Sequence, residues 1–148
     1  MHAPPLPWAL DALRSASVGR LGTLRGDRDA GLVSIDLVPF VFAWLAGPGP
    51  LGRLVSAVDH KPKSSQRLRR FANIQGTPQV TVLVDHYESD WTRLWWVRVR
   101  GVASELNGRE QRAEALDALV AKYAQYLTMR PSGAVLSIEI SDLSAWHA

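Results

Sequence analysis

The residues best suited to chemistry are clustered in a basic segment, residues 58–78, which reads VDHKPKSSQRLRRFANIQGTP. Pro62 favours a helix that begins there, because proline is well tolerated in the first helical turn. Ser64 and Ser65 would then lie in that turn, where unpaired backbone N–H groups favour an anion. The side chains of Lys61 and Lys63 stand beside them in the sequence. This combination predicts a site for a phosphate group.

Helical spacing separates the rest of the segment into two faces. An apolar stripe of Leu68, Phe71 and Ala72 is predicted to pack on a sheet, and several basic residues, Arg70 among them, share another side. The segment holds five basic residues and no acid after Asp59. Such a run is also typical of a solvated helix face, and no Walker-type glycine spacing accompanies it. A phosphate site and a plain basic surface therefore both remain open on these residues alone.

The composition is that of one globular domain spanning residues 1–148, with 47% hydrophobic and 21% charged residues. The net charge of +3 favours a small anionic ligand at least as much as a long polyanion. Cysteine is absent, which excludes disulfides, thiolate nucleophiles and cysteine-bound metal and fits a cytoplasmic protein. The longest apolar run, residues 37–46, is too short to span a bilayer, and no signal-peptide pattern is present. We therefore expect no membrane partner.

Most of the remaining chain is predicted to form strands, at residues 18–24, 32–45, 54–58, 79–85, 91–106 and 135–140. Pro39 predicts a bulge, a sheet edge or a bend within the second of these. A G-x-G-x-x-G pattern at residues 47–52 precedes a strand, so it predicts a hairpin loop and excludes a dinucleotide fingerprint, which needs a helix. Such a strand order favours a mostly antiparallel barrel or curled sheet.

Three helices are predicted between or before these strands. The first covers residues 8–16, with Trp8, Leu10 and Leu13 available for packing. The second is the basic segment. A capping box of Asn107 and Glu110 predicts the third. Its predicted buried stripe consists of Ala113, Leu116, Val120 and Tyr123.

The order of these segments resembles the pyridoxamine 5′-phosphate oxidase-like flavin and deazaflavin proteins, in particular their actinobacterial branch that uses coenzyme F420. The matching stretches are VGRLGTL, the strand through Val38-Pro39-Phe40, LVSAVDHKPKSSQRLRRFANI, TPQVTVLVDHY and WTRLWWVRVRG. The resemblance implies a mostly β fold, a split β-barrel of the FMN-binding type. It implies six to seven mainly antiparallel strands, with helices at the N-terminus, after strand three and before the last strand. It also implies a homodimer with two cofactors at the subunit interface.

The same resemblance implies a set of cofactor-binding residues. The phosphate would be held by Lys61, Lys63, Ser64, Ser65 and Arg70. The ring system would be flanked by backbone and side chains around Val38, Pro39 and Phe40 and around Ser56, Ala57 and Val58. Further residues would approach from the partner subunit, namely Trp91, Arg93, Trp95 and Arg98.

The function implied by the resemblance is hydride transfer between bound coenzyme F420 and a small conjugated or unsaturated organic substrate. An FMN-dependent oxidoreductase of the pyridoxamine 5′-phosphate oxidase type and a non-catalytic flavin- or tetrapyrrole-binding protein remain open as alternatives. Because such a cofactor carries the hydride itself, no catalytic side chain is expected. The absence of G-x-S-x-G, H-E-x-x-H and cysteine agrees with this expectation. A modest net charge and the lack of a known module argue against nucleic acid as a partner.

Two further groups of residues permit more than one interpretation. The loop that contains Asp85, His86, Glu88 and Asp90 has the side chains for a hard-metal site, but their spacing does not align them, so we predict no metal. Trp95 and Trp96 are adjacent on a predicted strand and must point to opposite faces. One of the two must therefore meet a partner, a ligand or solvent.

Overall fold

The computed structural model describes residues 7–27, 31–58 and 65–148. These residues form seven β-strands, four α-helices and one turn of 3-10 helix. The strands are β1 (Gly19–Asp27), β2 (Leu32–Phe40), β3 (Ala43–Leu45), β4 (Arg53–Ala57), β5 (Gln79–His86), β6 (Trp95–Glu105) and β7 (Val135–His147). The helices are α1 (Pro7–Ser15), α2 (Ser65–Gly76), α3 (Arg109–Lys122) and α4 (Gln125–Thr128), and the 3-10 turn spans Trp91–Arg93.

The strands of the described residues build one antiparallel sheet in the order β2-β1-β5-β6-β7-β4-β3. The two edge strands, β2 and β3, are separated in sequence only by Val41 and Phe42. The sheet therefore curls until its two edges approach each other at this bend, which gives an open barrel. The rings of Phe40 and Phe42 stack there with centroids 5.2 Å apart. The predicted mostly β, mainly antiparallel fold is confirmed.

Pro39 lies on the edge strand β2, opposite Arg20 of β1. A sheet tolerates proline at an edge, because its missing N–H then removes no ladder hydrogen bond. The chain bends after Phe40, so the single strand predicted for residues 32–45 is two strands on opposite edges of the sheet. The basic helix α2 consequently follows the fourth strand and not the third. Residues 47–52 join β3 to β4 as a hairpin, as predicted.

Every second side chain of the central strands points into the barrel, and these side chains fill its interior. Val97, Val99 and Ala103 of β6 point into the main core with Val82 and Val84 of β5. A second apolar cluster lies between α3 and the β3–β4 hairpin, where Leu116 and Leu119 pack with Val55. The core therefore occupies both the barrel interior and the space under α3.

The third predicted helix is present as α3, and Leu116 of its predicted stripe is buried, but its predicted cap and the rest of the stripe need correction. The helix begins at Arg109, and its N-cap Gly108 makes no side-chain hydrogen bond, so the capping box is not formed. The buried residues are Ala115, Leu116 and Leu119, whereas Ala113 is exposed and Tyr123 lies beyond the last helical residue. Alanine and leucine occur on several sides of this helix, so packing against the hairpin, and not the sequence pattern, selects its buried face.

Two smaller predictions also need correction. In α2, Ala72 is exposed, whereas Asn73 and Ile74 are buried, and the side chain of Leu68 lies outside the described residues. The strand predicted from residue 91 begins at Trp95, because Asp90 accepts a hydrogen bond from the Thr92 N–H at 3.1 Å and starts the 3-10 turn.

Candidate functional site

One face of the sheet, which we call the outer face, points away from the barrel interior and carries exposed apolar side chains. On β2 they are Val33, Ile35 and Leu37, which are 71%, 68% and 67% exposed. The register places them opposite Gly26, Leu24 and Gly22 of β1. Water contact over this much aliphatic surface is unfavourable, and large exposed apolar patches mark binding surfaces. The outer face is therefore a candidate interface.

A cavity of about 550 Å³ lies on the outer face. Its walls are mostly apolar, and two arginines, Arg20 and Arg100, stand among them. Gly22 contributes no side chain to it, which leaves room between Ile35 and Leu37 over the strands. Arg100 forms an ion pair with Asp142 at 3.8 Å, whereas no ion pair of Arg20 occurs among the described residues. Other residues that line this cavity are Thr23, Leu24, Ile35, Leu37, Gln79, Val80, Thr81, Leu83, Val102 and Ser141.

A smaller cavity of about 160 Å³ lies between β2 and α2 and carries charge. It is lined by Thr23, Asp36, Leu37, Val38, Arg69, Arg70 and Asn73. Arg70 is half-buried, and burial lowers the pKa of its guanidinium. Within the described part of the chain, no carboxylate lies within ion-pairing distance of it. A half-buried cation that lacks such a partner is well placed to take an anion.

The two cavities have Thr23 and Leu37 in common, and they lie on opposite sides of the β1–β2 pair there, the larger on the outer face and the smaller on the side of α2. We call this place the junction. Buried Asn73 fixes the junction: its amide donates to Thr23 Oγ1 at 2.9 Å and to Asp36 Oδ2 at 2.8 Å. The Asp36 carboxylate is thus held by an uncharged donor beside Arg70. An apolar cavity on the sheet and a cationic cavity at the helix are therefore neighbours at the edge strand β2, and together they are the candidate site.

Most of the predicted phosphate-binding side chains lie outside the part of the chain that the structure describes. Lys61, Lys63 and Ser64 lie outside the described residues. Ser65 is the first residue of α2, and its side chain also lies outside the description. Arg70 is the member of the set whose side chain is described, and it lines the smaller cavity.

The predicted ring-flanking residues are distributed over both sides of the sheet. Val38 lines the smaller cavity, and Pro39 is exposed on the edge strand. Phe40, Ala57 and Val58 are buried in the packed interior, so only their backbone is available for a contact.

Ser56 has a structural partner within the fold. Its side chain is buried, and its hydroxyl donates to the Val41 carbonyl at 2.7 Å. It therefore ties β4 to the bend between the two sheet edges, and its role toward a cofactor stays a prediction.

The residues predicted to act across a subunit interface lie at one end of β6. Trp91 is 77% exposed on the 3-10 turn, and Arg93 is exposed beside it. Trp95 packs against the core, whereas Trp96 is on the outer face, which confirms their opposite orientations. Arg98 lies over the Trp96 ring at 5.3 Å and donates to Ser144 Oγ at 3.3 Å, while its buried Nε finds no partner.

The acidic loop after β5 is occupied by local contacts. His86 pairs with Glu88, and the Arg93 guanidinium lies 3.8 Å from the same carboxylate. Asp90 accepts from the Thr92 hydroxyl at 2.6 Å, which lowers the pKa of this exposed carboxyl. Among the described side chains, no group of three or more metal-ligating residues is arranged to hold a cation.

Sequence reasoning missed the two residues that define the junction, Asp36 and Thr23. Both point inward from adjacent strands, opposite each other in the β1–β2 register. A signal was present: Asp36 is the lone charged residue in a mostly apolar strand. A carboxylate on the inward side of such a strand needs a hydrogen-bond donor, and the Asn73 amide provides it.

Solved structures with a similar fold include proteins that are described as flavin-binding. A conserved hypothetical protein from Mycobacterium tuberculosis matches with a TM-score of 0.73 at 15% identity, over 99% of this chain and 86% of that chain. A FAD-binding protein from Mesorhizobium loti matches with a TM-score of 0.65 at 18% identity, over 96% and 94%. A candidate pyridoxamine 5′-phosphate oxidase from Listeria innocua matches with a TM-score of 0.63 at 16% identity, over 94% and 95%.

No family model and no curated relative matches the sequence. At identities below one fifth, the likeness to solved structures shows the fold alone. The chain has the split-barrel fold of the pyridoxamine 5′-phosphate oxidase-like proteins. None of the helices in the described ranges combines the length and the apolar character needed to cross a membrane.

Proposed function

We propose that this protein is an oxidoreductase that binds a flavin-type cofactor and transfers a hydride between it and a small conjugated or unsaturated organic substrate. Coenzyme F420 is the cofactor we favour, because the sequence resembles the actinobacterial branch that uses it. FMN is the alternative, and FAD joins it because a structural neighbour is described as FAD-binding. A flavin or tetrapyrrole carrier without turnover is the non-catalytic alternative on the same fold.

The observation that supports this proposal is the proximity of an apolar and a cationic cavity at the edge strand β2, where Thr23 and Leu37 line both. A flavin-type cofactor joins a flat ring system to an anionic phosphate tail, so it needs both environments within one molecule's length. The larger cavity, about 550 Å³, falls in the range of small-molecule sites. The smaller one presents Arg69 and Arg70 from the basic helix.

The residues present fit such a group at its charged end. Arg70 is half-buried and has no ion-pair partner in the described ranges, so a phosphate would compensate the charge that burial disfavours. Asp36 opposes an anion here, because the hydrogen bond from the uncharged Asn73 amide leaves its negative charge in place. Arg69 and Arg70 line the same cavity and outnumber that charge. Lys61, Lys63, Ser64 and Ser65 complete the proposed phosphate site.

The hydride chemistry would come from the cofactor, and the protein would supply position and a dry surface. The aliphatic side chains of Leu24, Ile35 and Leu37 would exclude water from one side of the ring system. Arg20 and Arg100 border this surface and would orient an anionic group of the substrate. The chain's own residues would thus bind and orient, and none is assigned a covalent step.

A homodimer would cover the outer face and complete the site. The exposed β2 side chains are too apolar to remain in water at no cost, and a second copy presents an identical surface, as a two-fold interface requires. In that arrangement Trp91 and Arg98 of one subunit would approach the cofactor of the other. The unpaired Nε of Arg98 would then find an acceptor across the interface.

The test is a side-by-side fluorescence titration of the full-length protein with oxidised coenzyme F420, FMN and FAD. We expect micromolar or tighter binding of coenzyme F420, with FMN and FAD at least tenfold weaker. The opposite order would replace the favoured cofactor by a flavin. Failure of all three to bind would overturn the proposal while leaving the fold intact.

The cofactor affinity of substituted proteins tests where the cofactor binds. Arg70→Ala, and separately the double variant Lys63→Ala with Ser64→Ala, should each weaken binding at least tenfold, because each removes a charge-assisted contact to the phosphate. Arg109→Ala removes the same charge from the exposed start of α3 and should leave affinity within twofold. Equal losses in all three variants would point to a diffuse charge effect and contradict the assigned site.

A further inference from the structure

A third cavity, which shares no lining residue with the two cavities of the candidate site, lies where α1, β3 and the end of α3 meet. This groove measures about 650 Å³. Lys122 from the last turn of α3 lines one wall, and Arg14 from α1 lines another, with its guanidinium 4.6 Å from the Trp44 ring centroid. Nothing in the proposed hydride-transfer function uses these residues.

The amine of Lys122 is held in a defined position. Its Nζ donates to the Phe42 carbonyl at 2.8 Å and lies 4.1 Å from the centroid of the Phe42 ring. The Tyr123 ring lies 5.3 Å away on another side. The amine is thus half-buried between two aromatic rings, with one hydrogen committed to a backbone oxygen.

The charged and titratable groups around this amine leave it without an acidic partner. Asp11 and Arg14 face the groove from α1, and Tyr123 adjoins it. No carboxylate in the described ranges lies within ion-pairing distance of Lys122. Burial lowers the pKa of Lys122 to about 8, so roughly one tenth of the amine is neutral at pH 7 and about one quarter at pH 7.5. An ordinary lysine, with a pKa of about 10.4, is almost fully protonated there.

We propose that Lys122 is a site of covalent acylation by a small activated acyl donor that enters this groove. The lone pair of the neutral amine attacks the acyl carbonyl carbon, and a C–N bond forms. The bond from that carbon to the leaving group breaks, and phosphate departs from an acyl phosphate or thiolate from an acyl thioester. The amine loses one proton to solvent, and no oxidant or reductant is needed.

The geometry favours an amide over other lysine adducts. An acylated lysine keeps one N–H, which can still donate to the Phe42 carbonyl, whereas a neutral imine has none. Acylation also removes the desolvation cost of a positive charge in a half-buried position, at the loss of that charge's attraction to the Phe42 ring. Arg14 supplies the groove with a second cation, which suits the phosphate groups that acyl phosphates and coenzyme thioesters carry.

The sequence has only three lysines, Lys61, Lys63 and Lys122, so the reactivity of Lys122 can be compared with that of every other lysine. The folded protein is treated with limiting acetyl phosphate or, in a parallel arm, acetyl-coenzyme A at pH 7.5. It is then denatured and fully labelled with isotopic acetic anhydride, so that mass spectrometry gives the occupancy of each lysine. We expect Lys122 to react at least tenfold faster than the other two, and the preference to shrink as the pH approaches 10.

Two controls test whether the folded groove, and not the sequence around Lys122, causes its faster reaction. Protein treated in concentrated guanidinium chloride should lose the preference, since the groove is gone. Lys122→Arg preserves a donor for the Phe42 carbonyl and should show no adduct at this position. Reaction with one donor only identifies the source of the acyl group. Reaction of Lys122 no faster than Lys61 and Lys63 with both donors, or a preference that survives denaturation, would overturn the proposal.

Discussion

Asn73 on α2 donates to the carboxylate of Asp36 on the edge strand β2 across 2.8 Å. The same amide donates to Thr23 on β1, so one buried side chain links the basic helix to both strands under the candidate site. Asn73 is only 8% exposed, and its two amide hydrogens are both used. The helix that would hold the cofactor phosphate is therefore anchored by a polar contact beside its apolar ones.

Replacement of Asn73 by alanine should destabilise the fold. It leaves the Asp36 carboxylate and the Thr23 hydroxyl without their donor in a largely buried place, and such losses cost about 1–3 kcal/mol. Urea denaturation followed by tryptophan fluorescence measures the change in free energy of unfolding. Gln75→Ala on the exposed side of the same helix is the matched control, expected within about 0.5 kcal/mol of wild type. Alanine has the highest helix propensity, so the substitutions themselves should not weaken the helix, and a similar loss in both variants would contradict the importance of this contact.

Gly101 sits at the irregularity where the β6–β7 register shifts, and it cannot accept a side chain. A Cβ there would lie 2.7 Å from Ile138 Cγ2 and also meet the Glu139 backbone oxygen. Gly101→Ala should therefore destabilise the protein by about 1–3 kcal/mol through overpacking. The same urea titration measures it. Gly76→Ala meets no atom within 4 Å and should be neutral or slightly stabilising. Neutral behaviour of Gly101→Ala would contradict the observed register.

The sequence predicted the fold where local patterns and tertiary packing agree. The strand around Val80, Val82 and Val84 alternates cleanly, and the proline at position 39 correctly indicated a sheet edge. The adjacent pair Trp95 and Trp96 was correctly assigned to opposite faces. These features depend only on backbone geometry, so neighbouring residues suffice to define them.

Other features depend on partners that are distant in the sequence. The buried face of α3 is selected by the β3–β4 hairpin, since alanines and leucines surround the helix. The junction of Thr23, Asp36 and Asn73 joins three elements, and the spacing of these residues along the chain carries no sign of it. Phe40 differs from these residues, because the family resemblance predicted that it flanks the cofactor ring, whereas its side chain lies in the core.

Replacement of Ile35 on the outer face by lysine should convert the proposed homodimer to monomer. Its side chain is 68% exposed on an edge strand, and a charge there would lose its water on association. Light scattering coupled to size-exclusion chromatography gives the mass directly. The control is Leu32→Lys, since Leu32 is equally exposed but points to the opposite side of the same strand. Two dimeric variants would exclude the outer face as the interface, and a monomeric wild type would exclude the homodimer.

Lys122 predicts a specific dependence of stability on pH. Burial lowers the pKa of Lys122 to about 8, whereas an unfolded lysine titrates near 10.4. Between these values the unfolded chain binds more protons than the folded protein, so the free energy of unfolding rises as the pH increases from 8 toward 10. The amine is half exposed, so water screens the effect, and we expect a gain on the order of 1 kcal/mol. Urea titrations at intervals across this range measure it.

A comparison with Lys122→Met isolates this contribution, because methionine keeps an unbranched apolar side chain and does not titrate. The rise between pH 8 and 10 should be absent in the variant, while changes common to both proteins cancel in the difference. Burial raises the pKa of Tyr123, and that group acts in the opposite direction as the unfolded tyrosine ionises around pH 10. Tyr123 is present in both proteins, so its contribution cancels in the difference. An equal rise in Lys122→Met would show that the amine is charged in the folded protein up to pH 10 and would remove the chemical basis for its acylation.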